Sequence, residues 1–164
     1  GRKYPLYLYW GPFGHANNHA RIMRVNDLIN SLDWLNIRKD EAYAVFTNAS
    51  CNDALPWPDH LDNEGAGQVN AFFRWKTLAD TADKLELSLY LVSSKDVKTR
   101  FTIPSGATAD VSVRRIQAMQ VKPGQAVSWS FGDLTGSVTA DAEGVITVPD
   151  LRITSVPAAL TILR

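Results

Sequence analysis

The residues best suited to chemistry near the start of the chain lie in WGPFGHANNH, Trp10 to His19. An imidazole at a strand-to-helix turn can take up and return a proton near neutral pH. His15 sits there, behind Gly11 and Gly14, whose missing side chains let the backbone turn sharply and let a substrate approach. The same position suits a polar loop residue that caps a helix, so both roles stay open for His15. His19 follows four residues later, the spacing of two metal ligands on one helical face. Gly14 and the Asn17-Asn18 pair place His15 ahead of the helix, and no third ligand is apparent. No metal is therefore expected, and His19 reads as solvent-facing.

A second group of candidates is NASCNDALPWPDHLDNEGAGQ, where Asp53, Asp59, Asp62 and Glu64 crowd around Trp57 and His60. Two carboxylates are enough for glycoside hydrolysis, one as acid and one as base or nucleophile, and Asp59 and Glu64 are the pair to test. Carboxylates in such a segment also serve as solvated turn caps. Trp57-Pro58-Asp59 is similar to the mobile acid loop of tyrosine phosphatases. That chemistry needs a thiolate in a phosphate-cradling loop with an arginine, and Cys51 has neither around it. Cys51 reads instead as a small buried residue, and a lone cysteine excludes an internal disulfide. Among the aromatics, Trp10 and Trp57 have the loop or strand-end placement that sugar stacking requires. Trp34 belongs to a helical face, Trp75 and Trp129 to strand faces that point into a core, and Tyr90 points outward.

The elements that would hold these residues change character along the chain. Leu6, Leu8 and Trp10 alternate with Tyr7 and Tyr9, which predicts a strand. Ile22, Val25, Leu28, Ile29 and Leu32 recur at three- and four-residue spacing, which predicts a helix capped by Asn17 or Asn18. Residues 1–47 thus form a strand-helix segment. Residues 48–67, with two prolines and two glycines, form a long loop. From 68 to 164 the period becomes two: Val69, Ala71, Phe73 and Trp75; then Leu85 to Leu91; then Val111 and Val113; then Val127, Trp129 and Phe131. Shorter runs follow at Val138, Val145 to Val148, Leu151 to Ile153 and Leu160 to Ile162. Lys122-Pro-Gly124, Gly132-Asp133 and Asp141-Ala-Glu-Gly144 mark turns between them. Seven or eight short strands over about 100 residues predict an antiparallel β-sandwich of immunoglobulin or fibronectin III type. The expected fold class is α+β, an N-terminal strand and helices followed by that sandwich.

Composition narrows the function. The 164 residues carry 17 Lys plus Arg against 17 Asp plus Glu, so no net field favours nucleic acid, and Arg114-Arg115 alone does not create one. No apolar run approaches the roughly 20 residues of a membrane span. Neither nucleic acid nor membrane is an expected partner, and no cofactor motif is present. Asn48-Ala49-Ser50 fits a glycosylation sequon, a pattern short enough to arise by chance.

Residues 1–47, with WGPFGHANNH as the histidine loop, resemble the last strand and final helix of secreted bacterial α/β-hydrolases of the esterase type. GQVNAFFRWKTLADTADKLELSLYLV and ADVSVRRIQAMQVKPGQAVSWSF resemble the accessory β-sandwich that follows such a catalytic domain. The resemblance implies that His15 is the general base, that Trp10 and Asn17 line the substrate side, and that the protein is secreted or periplasmic. The chain departs from the family in lacking any Gly-x-Ser-x-Gly elbow, and only 14 residues precede His15, whereas the serine and acid come first in that family. The resulting expectation is the C-terminal part of a hydrolase acting on ester substrates, carbohydrate-linked esters among them, together with an upstream catalytic segment of the same protein. Two alternatives stand beside it. One is a non-catalytic module that binds polysaccharide through Trp57 and Trp10; the other is a small glycosidase using Asp59 and Glu64.

Overall fold

Leu85, Leu87, Leu89 and Leu91 alternate with Lys84, Glu86, Ser88 and Tyr90, the period of a strand with one face buried. The four leucines are at most 1% exposed, and each contributes about 1.5–3 kcal/mol through the apolar area it removes from water. They form β3 (Lys84–Leu91) in the computed structural model, which describes residues 39–51, 72–95 and 102–164. The other strands are β1 (Tyr43–Thr47), β2 (Phe73–Asp80), β4 (Gly106–Arg114), β5 (Ala126–Phe131), β6 (Leu134–Thr139), β7 (Ile146–Thr154) and β8 (Ala158–Leu163).

The strands pair into two antiparallel sheets, β1-β4-β7 and β2-β3-β8-β5-β6. One hydrophobic core lies between them. It joins Ala44, Phe46, Val111, Val113, Ile146 and Leu151 of the first sheet to Phe73, Val127, Leu160, Ile162 and the β3 leucines of the second. Phe46 of β1 stacks on Phe73 of β2 with ring centroids 4.7 Å apart, an aromatic contact that spans the two sheets. The described residues are thus all-β, a two-sheet sandwich, with no helix among them. The predicted strand over Tyr4 to Trp10 and the predicted helix after Asn18 lie outside the described residues.

Two differences from the sequence reading have physical causes. Tyr43–Thr47, grouped above with the strand-helix segment 1–47, pairs along its whole length with β4, from Tyr43 opposite Arg114 to Thr47 opposite Asp110. Its burial does not alternate cleanly, because Tyr43, Ala44 and Phe46 are all buried. A two-sided strand carries no period-two signature. The runs at 145–148 and 151–153 belong to one strand, β7, interrupted by a bulge. Ala109 pairs with Leu151 and Val111 with Val148, so Pro149 and Asp150 contain one residue in excess. The extra residue resets the alternation, and Ile146 and Val148 before it point to the core as do Leu151 and Ile153 after it.

The bulge is held from the neighbouring strand. Asp150 has φ 52°, and its N–H donates to Asp110 Oδ1 at 2.9 Å. Asp110 Oδ2 accepts the Asn48 side-chain amide at 2.6 Å, so one carboxylate ties β4 to the segments on both sides. Pro149 is tolerated because β7 is an edge strand and the ladder loses no bond through its missing N–H. On the other sheet, Gly132 (φ 57°) and Asp133 close the two-residue β5–β6 hairpin, in which Phe131 faces Leu134.

Candidate functional site

At one end of the sandwich, the chain leaving β4 and the turn joining β6 to β7 enclose a half-open groove of about 740 Å³ with Lys39 and Tyr43. The β4 side is organised by Asp80, the last residue of β2. Its carboxylate accepts three backbone N–H groups: Gln117 at 2.6 Å, Ala118 at 3.1 Å and Met119 at 3.0 Å. Hydrogen bonds to a charged acceptor are stronger than neutral ones, and three of them fix the loop leaving β4. Met119 is pulled into the core with no exposed surface. The Gln117 side-chain amide also donates to the Arg115 carbonyl.

Arg115 departs from strand geometry. Consecutive strand residues point to opposite faces, yet Arg114 and Arg115 both line the groove. The reason is the backbone of Arg115, whose φ of 54° lies in the left-handed region and reverses the chain at the end of β4. Tyr43 sits directly opposite Arg114 in the β1–β4 register. The Arg115 guanidinium carbon lies 5.5 Å from the centroid of the Tyr43 ring, within cation–π range. Tyr43 is itself buried and meets Trp75 at a centroid distance of 6.4 Å, so the aromatic base under Arg115 is anchored to β2.

The β6–β7 turn also lines the groove. Asp141 Oδ1 accepts the N–H groups of Glu143 at 3.0 Å and Val145 at 2.8 Å, and the Gly144 N–H closes onto the Asp141 carbonyl at 2.9 Å. Gly144 has φ 74°, and a Cβ there would meet the Val121 carbonyl oxygen at 3.1 Å. Both constraints favour glycine. The turn presents Glu143 on an exposed tip beside the groove. The described lining of the groove therefore combines cations (Lys39, Arg114, Arg115), carboxylates (Asp141, Glu143) and apolar residues, Val113, Met119 and Val145 among them. Such a surface can bind a polar ligand bearing hydroxyl and anionic groups.

Trp10, His15, Asn17, His19, Trp57, Asp59 and Glu64 lie outside the described residues, as do Asp53, His60 and Asp62. Cys51 is described: it is buried and in the free thiol state, and burial pushes its thiol pKa above the ordinary value. Trp75 and Trp129 pack half-buried against the core, and Tyr90 lies half-buried on β3 opposite Arg74. Among the described residues no three His, Cys, Asp or Glu side chains converge as metal ligands.

The groove residues were visible in the sequence only in another guise. Arg114-Arg115 reads as a small basic patch and Asp141-Ala-Glu-Gly144 as a turn, and nothing in either signals that they line one groove. No protein-family model, curated protein or solved structure matches this chain.

Proposed function

We propose that the described sandwich is a non-catalytic carbohydrate-binding module whose site is the groove between the β4–β5 and β6–β7 connections. The observation that carries this reading is the convergence of Tyr43, Arg114 and Arg115 with Glu143 around one half-open groove of about 740 Å³. That volume lies within the roughly 300–1,000 Å³ of small-molecule sites. Donors and acceptors lining one groove suit a ligand whose hydroxyls both donate and accept.

The last described strand, β8, is the middle strand of its sheet, and the chain changes sheet at β1–β2, β3–β4, β4–β5, β6–β7 and β7–β8. An immunoglobulin or fibronectin III order, the finer expectation from strand count, keeps its final strand at or next to a sheet edge, so the present order departs from it.

The test is retention of the purified chain on a panel of insoluble polysaccharides. Retention by at least one polymer, lost in Glu143→Ala and in Arg115→Gly with the thermal midpoint kept, is the expected result. No retention by any polymer contradicts the reading. The same assay on Trp57→Ala reports whether the long loop shares in binding.

A hydrolase reading, in which His15 is the general base and the sandwich is accessory to an ester-cleaving domain, rests on the resemblance of residues 1–47. Ester hydrolysis by the longer protein, abolished in His15→Ala, is its requirement. Activity unchanged by that substitution removes it.

A further inference from the structure

The groove is not electrically balanced. Its described lining holds three cationic side chains and two carboxylates, which leaves one positive charge. The acidic side is also partly committed, since Asp141 Oδ1 already accepts two backbone N–H groups. On the basic side, Arg114 is half-buried and its side chain makes no hydrogen bond or ion pair among the described residues. Lys39 likewise has no anionic partner among them. A guanidinium partly withdrawn from water gains most from a planar oxyanion that accepts two parallel N–H bonds.

We propose that the groove takes a saccharide bearing a carboxylate, a uronate unit of an acidic polysaccharide, with the carboxylate on Arg114 and Lys39 and a ring hydroxyl on Glu143. This rests on the carbohydrate-binding reading above. A single carboxylate matches the one positive charge left by the described lining. The left-handed turn at Arg115 is what makes the arrangement possible: without it the second guanidinium would leave for the other face of the sheet. Arg115, held over Tyr43, then forms a fixed cationic border beside Arg114. The chain as a whole carries no net charge, so attraction to a polyanion has to come from a local site such as this groove rather than from a global field.

The experiment is affinity electrophoresis and titration calorimetry of the full chain with polygalacturonate, with the same polymer after carboxyl reduction, and with dextran sulfate. Binding to polygalacturonate should weaken at least tenfold on carboxyl reduction. A similar loss is expected in Arg114→Gln, and a smaller one in Arg114→Lys, which keeps the charge and loses the fork. Circular dichroism and the thermal midpoint verify that both variants are folded. Equal binding to the carboxyl-reduced polymer overturns the carboxylate assignment and leaves the carbohydrate reading standing. Binding to dextran sulfate as tight as to polygalacturonate, unaffected by Arg114→Gln, also overturns it. No binding to any of the three, or to any other polysaccharide, removes the underlying reading as well.

Discussion

The guanidinium of Arg115 rests over the ring of Tyr43, 5.5 Å from its centroid, although Arg115 is the neighbour of the residue that Tyr43 faces in the β1–β4 ladder. The contact exists because Arg115 takes a left-handed backbone, which costs a non-glycine residue roughly 1–2 kcal/mol. A cation–π contact returns about 0.5–2 kcal/mol, so strain and contact nearly cancel. Arg115→Gly removes both and should shift stability by less than about 1 kcal/mol. Arg115→Ala removes the contact and keeps the strain, and should be the less stable variant. Urea unfolding of the two measures this; alanine at or above glycine contradicts it.

Trp129 and Gly136 face each other across β5 and β6. A Cβ on Gly136 would lie 2.7 Å from Trp129 Cζ2 and 2.8 Å from Cε2. Alanine normally improves on glycine in a strand, but here it must displace an indole packed against the core. Gly136→Ala should therefore destabilise by about 1–3 kcal/mol, with a change in tryptophan emission. An unchanged denaturation midpoint would show that the indole moves freely.

Asp80 holds the loop leaving β4 through three N–H groups. Replacing it by alanine leaves those donors to water and should cost about 2–3 kcal/mol. Because the loop is a groove wall, ligand binding should fall too, even though Asp80 is not among the groove-lining residues. Hydrogen exchange at Gln117 to Met119 reads the effect locally. Protection equal to that of the parent would refute the clamp.

Cys51 is buried, and that burial raises its thiol pKa above 9.0. A raised folded-state pKa means the unfolded chain loses its proton first. The stabilising contribution is complete below the unfolded value and declines as pH rises through the folded one. Stability should therefore fall above about pH 9, and less so in Cys51→Ala. Native Cys51 should also react with a disulfide reagent far more slowly than the unfolded chain. Equal rates would show an accessible thiol.

How much of this was legible in the sequence depends on what each segment hides. The β3 leucines and the Gly132-Asp133 turn could be read directly, because one buried face and a two-residue hairpin each leave a pattern. β1 left little, being five residues long with Tyr43 buried on the face opposite Ala44 and Phe46. β7 looked like two strands because Pro149-Asp150 breaks the period while the backbone continues. The groove was hidden for a related reason. Its key step is a positive φ at an arginine, and only glycine or asparagine advertises such a conformation in sequence. The candidates that did stand out, His15 and the carboxylates Asp59 and Glu64, lie outside the described residues; ester hydrolysis tests the first, and reducing-sugar release lost in Asp59→Ala or Glu64→Ala tests the pair.

The most direct measurement is amide chemical-shift mapping of the isotope-labelled chain titrated with a galacturonate oligosaccharide. Binding in the groove should confine the perturbations to Lys39, Tyr43, Val113 through Val121 and Asp141 through Val145. Perturbations centred on the far face of the five-stranded sheet, at Ser128, Ser137 and Thr161, or none at saturating oligosaccharide, would contradict it.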